Sequence, residues 1–199
     1  MGSAATVKGE RRRYALVRAA AELLCEGGFE AVSHRAVAER ARVPLASTTY
    51  YFSSLDDLVE KAVEYLGATE LAQLRDRVEA LPRRRRGAEA TADVLVDLLA
   101  ADPTREELIS RYERYIACAR HPALRVVERR LLKQRIDAIA EAIERSGRRA
   151  RSGMMTALLY SFDGAVASSL ADDSGAPREY VRATLVDVID VLAPVDARV

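Results

Sequence analysis

The sequence predicts an all-α chain of about nine helices, a three-helix helix-turn-helix head at the N-terminus followed by a larger helical body. Three observations carry this expectation. Apolar residues recur at helical spacing over long stretches, as at Leu16, Ala19, Ala20, Leu23 and Leu24. Glycine, proline and cap residues interrupt those stretches at helix-like intervals. No hydrophobic alternation with hairpin turns competes, and β-branched residues are interspersed rather than clustered.

The elements follow in order. Gly27-Gly28 closes the first helix with residues suited to positive φ. A second helix over Ser33 to Ala41 has an N-cap at Ser33 and places Ala36, Val37, Ala38 and Ala41 for close packing. Arg42-Val43 is a tight turn. The third helix, Pro44 to Phe52, opens on a proline whose missing N–H the first turn tolerates. A fourth begins near Ser54, with Asp56 and Asp57 favoured by the helix dipole, and continues through Leu58, Ala62, Val63, Leu66 and Leu74. Pro82 to Gly87, with its run Arg83 to Arg86, is a break and is expected to be a solvated loop. Beyond it lie helices at about Ala88 to Ala100, from Asp102-Pro103-Thr104 to His121-Pro122, and from Ala123 to Arg145, which Ser146-Gly147 ends. The last two span about Arg149 to Ala171 and Pro177 to Leu192, with a turn over Asp172 to Ala176.

Length and composition fit one long or two intimate domains, and 49% hydrophobic residues are ample for a packed helical core. The boundaries expected are 10–54 for the head and 55–199 for the body. A net charge of +1 excludes attraction of polyanions by the molecule as a whole, so distribution decides. Within residues 1–54, Lys8, Arg11, Arg12, Arg13, Arg18, Arg35, Arg40 and Arg42 outnumber Glu10, Glu22, Glu26, Glu30 and Glu39. Cys25 and Cys118 lie far apart within helical patterns, which fits reduced thiols and a cytoplasmic location. Neither an export signal nor an apolar run of roughly 18 residues is present, so no membrane partner is expected.

Ser33 to Leu58 is the most informative stretch, because two short helices, a tight turn and the start of a third make an arrangement that reads duplex DNA. Thr48, Phe52 and Leu55 recur at i, i+4 and i+7 and point inward. Leu45, Ala46, Ser47, Thr49 and Tyr50 are left outward. Their hydroxyls suit phosphates, and Leu45 and Ala46 suit a thymine methyl or a close approach. Ser33 and Arg35 can hold phosphates beside exposed backbone N–H groups, with His34 as a neighbour. An arm before the first helix, Lys8 with Arg11 to Arg13, is a candidate for backbone or minor-groove contact. Tyr51 is expected to pack. No basic residue lies on the outward face of Pro44 to Phe52, so Arg42 is the nearest candidate for reading guanine.

At these residues the chain resembles the TetR family of one-component transcriptional regulators. The resemblance covers Leu16 to Leu66: LVRAAAELLCEGGFEAVSHRAVAERARVP, then TTYYF, then SSLDDLVEKAVEYL. Two positions depart from it, since Arg42 stands where the family often has Gly, and Leu55 where it often has a basic residue. Arg42 is then expected to accept a left-handed conformation at a cost of roughly 1 kcal/mol.

Thr156 to Leu170 is rich in small residues and nearly free of charge, and Val181, Leu185, Val188, Ile189 and Leu192 recur at helical spacing. Such a pair either lines the monomer core or, as the resemblance implies, forms a four-helix homodimer interface. Dimerisation sets half-sites of an inverted repeat about 34–36 Å apart, or a multiple of that. The resemblance also implies a body that binds a small-molecule effector and thereby lowers DNA affinity. Candidate lining residues are Tyr112, Tyr115, Ile116, Met155, Tyr160 and Asp163, polar or aromatic groups on otherwise apolar helices. Asp163 needs a partner in its uncharged stretch: a cationic ligand, an arginine of the other subunit, or a hydroxyl.

Enzyme chemistry has little support. His34 and His121 lie apart with no H-E-x-x-H spacing, and neither a phosphate loop nor a G-x-S-x-G elbow occurs. No cofactor or metal is expected. The reading is a dimeric, ligand-responsive repressor of a palindromic operator. The alternative is a helical ligand-binding or protein-interaction module without sequence-specific DNA binding, favoured by Leu55 and by the lack of a base-reading Arg or Lys on the third helix.

Overall fold

The computed structural model describes residues 3–99, 104–120, 122–171 and 177–196. His121, the Asp172 to Ala176 turn and most of the start expected at Asp102-Pro103-Thr104 lie outside the described residues. The described residues form nine α-helices and no strand: α1 (Ser3–Gly27), α2 (His34–Ala41), α3 (Ala46–Tyr51), α4 (Leu55–Ala80), α5 (Ala88–Leu99), α6 (Arg105–Arg120), α7 (Pro122–Arg145), α8 (Ser152–Leu170) and α9 (Pro177–Leu192). They fall into two compact units, one from the described residues of 1–69 and 106–129, the other from those of 70–105 and 130–199. α4 and α7 therefore each contribute to both.

In the first unit, Leu16, Ala20 and Leu24 of α1 pack with Val37 of α2, with Phe52, with Leu58, Ala62 and Val63 of α4, and with Cys118 and Leu124. Each fully buried leucine or valine here contributes about 1.5–3 kcal/mol. Burial, and then the charge of Glu128, push the Cys118 thiol up to about 11. Gly28 turns the chain out of α1 at φ 64°, its N–H donating to the Leu24 carbonyl at 3.1 Å. A Cβ there would be strained and would lie 2.9 Å from the Glu113 carboxylate. The basic residues expected as an arm ahead of the first helix are instead inside it, because α1 already runs from Ser3. Arg13 thereby lies over the Phe52 ring, 5.2 Å from its centroid.

The second unit has its core in Leu95 and Val96 of α5, Ile139 and Ile143 of α7, Met155, Leu158, Leu159 and Phe162 of α8, and Val181, Leu185 and Ile189 of α9. At the end of α7, Gly147 adopts φ 71° and Arg148 N–H reaches back to the Ile143 carbonyl at 3.2 Å, closing a Schellman turn. Arg149 to Arg151, expected at the start of the eighth helix, do not join α8, which begins at Ser152. Together with Arg148 they are held by the chain end: Arg148 bridges to Val195, and Arg149 N–H donates to the Pro194 carbonyl at 2.9 Å.

The arginine run is not uniformly solvated. Arg83, Arg84 and Arg85 are exposed, but Arg86 is buried, with Nη1 donating to the Arg145 carbonyl at 3.3 Å and Nη2 to the Pro82 carbonyl at 3.1 Å. Those acceptors include the negative end of α7, which compensates the charge in place of a carboxylate. Desolvation, and secondarily Arg84, lower its pKa. Arg182 Nε meets Asp93 at 2.5 Å and Arg178 pairs with Asp97, tying α9 to α5.

The outer faces of α8 and α9 are left open. On α8, Gly153, Met154, Tyr160, Gly164, Ala167 and Ser168 are exposed, none of them charged. On α9, Tyr180, Ala183, Asp187 and Val191 are exposed at helical spacing, Val191 to 76%.

Candidate nucleic-acid interface and effector residues

Ser33 sits at the N-cap of α2 in extended conformation, and its Oγ accepts the Ala36 N–H at 3.1 Å. Arg35 follows in the first turn with its side chain exposed, beside N–H groups that the helix leaves open. His34 is half-buried, and its Nδ1 is shielded with no hydrogen-bond partner. Arg42 then takes φ 55°, ψ 45°, the left-handed position, with its N–H donating to the Ala38 and Glu39 carbonyls and its side chain in solvent.

The third helix is shorter than expected. Pro44 and Leu45 form a tighter turn, with Ser47 N–H on the Pro44 carbonyl at 2.8 Å and Thr48 N–H on Leu45 at 3.0 Å, so α3 proper starts at Ala46. Thr48 is fully buried, and its Oγ1 donates to the Leu45 carbonyl at 2.8 Å. Phe52 is buried below it. Outward, Pro44, Leu45, Ala46, Thr49 and Tyr50 are exposed, Leu45 to 51% and Tyr50 to 80%. Ser47 is half-buried, and the Thr49 hydroxyl donates to Ala46 at 3.3 Å. The Tyr50 and Tyr51 rings stand edge to face with centroids 4.8 Å apart, so the half-buried Tyr51 props the exposed phenol. Ser54 caps α4 by accepting the Asp57 N–H at 3.1 Å, and Asp57 accepts the Ser53 N–H at 3.1 Å. The exposed, uncharged residues of α3 thus lie along the chain between two serine-capped helix starts. That arrangement offers N–H and hydroxyl donors to phosphates on either side of a small, close-fitting reading surface.

A groove of about 280 Å³ between α1 and α2 is lined by Arg18, Glu22, Arg40 and Arg42 together with Ala15, Ala19 and Ala41. Arg18 and Arg40 both reach Glu22, at 3.3 and 3.6 Å, so most of the basic charge there is spent within the head. The cross-pairing of α1 glutamates with Arg40 was not legible in the charge count, because it joins residues of different helices.

The effector candidates fall in two places. Tyr112 and Tyr115 of α6 are half-buried and meet edge to face at 5.8 Å, while Ile116 is exposed. On α8, Met155 is fully buried in the second unit's core, whereas Tyr160 faces outward, so these two do not line one space. Asp163 finds the partner its surroundings demand within its own chain: Arg135 of α7, 3.6 Å away, both side chains largely shielded.

Residues 86–191 match the tetracyclin repressor-like C-terminal domain, and residues 16–62 match the bacterial regulatory proteins of the tetR family. The multidrug binding protein EbrR in its imidazole complex is 31% identical with a TM-score of 0.70, the alignment covering 94% of this chain and 97% of EbrR. EbrR has also been solved with proflavin, ethidium and malachite green. A transcriptional regulator from Rhodococcus sp. Rha1 shares the fold at 23% identity and a TM-score of 0.66, over 92% of this chain and 98% of that one. The HTH-type transcriptional regulator PksA of Bacillus subtilis (strain 168) is 30% identical over 117 residues, 56% of this chain. The aligned part spans about half of PksA, 53% of its length. With a helix-turn-helix head and a helical body each matched by its own domain description, the chain belongs to the tetR family of bacterial regulatory proteins.

Proposed function

We propose that this chain is a ligand-responsive repressor that binds a palindromic operator as a homodimer and is released by a small-molecule inducer. The observation that carries the reading is the uncharged, exposed face of α3 and its N-cap, where Tyr50 and Leu45 stand in solvent between the Ser33 and Ser54 caps in the chain. In this reading residues 10–54 bind DNA and residues 55–199 bind effector and partner. Leu45, Ala46 and Tyr50 enter the major groove, while Ser33, Arg35, Ser47 and Thr49 hold phosphates and Arg42 lies at the groove edge. The open faces of α8 and α9 pair with those of a second copy, fixing the head separation.

The effector is a cationic aromatic molecule in this reading. EbrR, the relative solved with proflavin, ethidium and malachite green, supports it, as does the Tyr112–Tyr115 pair, whose aromatic faces suit a cation. Binding favours a body conformation whose heads no longer match the half-sites. The test is a mobility shift with duplex from upstream of the chain's own coding region, against random duplex, over a salt series. Preference for the upstream duplex, relieved by proflavin or ethidium, supports the proposal. Equal affinity for both duplexes sinks it in favour of a helical module without sequence-specific binding.

A further inference from the structure

We propose that Arg83, Arg84, Arg149 and Arg151 form a second, sequence-independent surface for the phosphate backbone of duplex DNA, distinct from the α3 head. Two chain segments build it. The loop 82–87 is strapped to the end of α7, with Arg84 N–H on the Arg145 carbonyl at 3.0 Å and Arg86 N–H on the Ser146 carbonyl at 3.1 Å. Residues 148–151 leave that same end and are pinned by Arg149 N–H on Pro194 at 2.9 Å. Together 82–87 and 144–151 hold Arg83 to Arg86, Arg145, Arg148, Arg149 and Arg151, against the single acid Glu144.

Four of these arginines, Arg85 among them, interact within the protein. Arg86 binds carbonyls, Arg145 binds Glu141 at 2.8 Å, and Arg148 binds Asp190 at 2.8 Å. Their work holds the surface in shape. Arg83, Arg84, Arg149 and Arg151 are exposed, and none of their side chains pairs with a described carboxylate. The buried Arg86 is compensated by the end of α7 and not by an acid. Of the acids held at these segments, Glu141 and Asp190 are taken up by Arg145 and Arg148, and Asp196 joins through its N–H, which donates to the Gly147 carbonyl at 3.0 Å. The backbone is already ordered, so presenting these guanidinium groups costs little on binding.

The composition selects the occupant. No large apolar side chain is exposed within 82–87 or 144–151, so an acidic protein would find no anchor at the centre of an interface. Phosphates need none. Guanidinium groups recognise them through paired N–H donors and release counterions. Such a surface would let the regulator hold flanking or neighbouring DNA without reading it.

The test compares full-length wild type, R83Q/R84Q/R149Q/R151Q, and a charge-matched control, R75Q/R125Q/R129Q/K133Q, whose positions are also exposed. Affinity for a random duplex is measured by anisotropy across a salt series. Each lost phosphate contact lowers the slope of log affinity against log salt by about 0.9, so the first variant should be shallower by about 2 to 4 and the control by under about 1. Should the fourfold variant melt early, R83Q/R84Q alone should show about half the loss. Equal changes in patch and control variants, or no change in either, overturn the proposal. So does a patch variant that keeps its duplex slope but loses binding to polyglutamate, which would make this face a docking site for acidic protein.

Discussion

Arg40 of α2 grips Glu26 of α1 with both ends of its guanidinium, Nη1 to Oε1 at 2.7 Å and Nη2 to Oε2 at 2.6 Å. A bidentate pair of this kind fixes the angle at which the helix-turn-helix leaves α1. The hydrogen bond from Arg40 holds the Glu26 carboxyl below its ordinary value of 4.5. A depressed folded-state pKa adds stability above the unfolded value and loses it as pH falls through the folded one. The melting difference between wild type and Glu26→Gln should therefore be present at neutral pH, narrow as pH falls below about 4.5, and shrink with added salt. A difference that is constant with pH would show that the pair does not act through charge.

Arg42 occupies the left-handed region at φ 55°. Arg42→Gly should relieve roughly 0.5–1 kcal/mol of backbone strain, partly offset by the greater freedom of glycine when unfolded. Denaturant titration should give a midpoint equal to or above wild type. The same variant should bind DNA more weakly, since it loses an exposed cation in the turn that leads into α3.

Tyr50 presents its phenol to solvent while Tyr51 supports the ring. Tyr50→Phe keeps the ring packing and deletes one donor, so operator affinity should fall by roughly 1 kcal/mol, about fivefold, with sedimentation unchanged. An unaltered affinity would remove the hydroxyl from the set of DNA contacts.

Arg148 is almost wholly buried, and Nη1 donates to both the Asp190 carboxylate and the Ala193 carbonyl at 2.8 Å while Nε donates to the Thr91 hydroxyl at 3.1 Å. The Asp190 side chain is 69% exposed. Removing the buried partner strands acceptors, whereas removing the exposed one leaves the guanidinium other bonds. Arg148→Ala should cost about 2–4 kcal/mol and Asp190→Asn under about 1 kcal/mol, by chemical denaturation.

What the sequence made legible and what it hid follow from the range of the forces involved. Gly28, Gly147, Ser33 and Ser54 act on their immediate neighbours, so the breaks after α1 and α7 and the caps of α2 and α4 were readable from residue type. Thr48 and Phe52 were placed inward by periodicity alone, and both are buried. The arm was misplaced because Lys8 to Arg13 contains no proline or cap, and its one glycine, Gly9, does not stop α1 from extending toward Ser3. Within Arg83 to Arg86 the four residues are chemically identical, and only the α7 end, far along the chain, selects Arg86 for burial. Asp163 announced that it needed a partner but not which one, since Arg135 lies on another helix.

The proposed homodimer interface admits a test that separates association from folding. Gly164 lies on the open face of α8, where an added Cβ meets nothing within 4 Å in the protomer. Arginine there is a better helix former than glycine by up to about 1 kcal/mol, so Gly164→Arg should leave the folded protomer as stable or slightly more so. Across a twofold interface the substitution acts twice, burying two like charges where two small residues had allowed close helix contact. Sedimentation of wild type should give a dimer and that of Gly164→Arg a monomer with unchanged helicity. Operator affinity should fall steeply, because one head cannot span an inverted repeat, while the weak affinity of a single head for a half-site duplex persists. A variant that stays dimeric would move the interface away from α8.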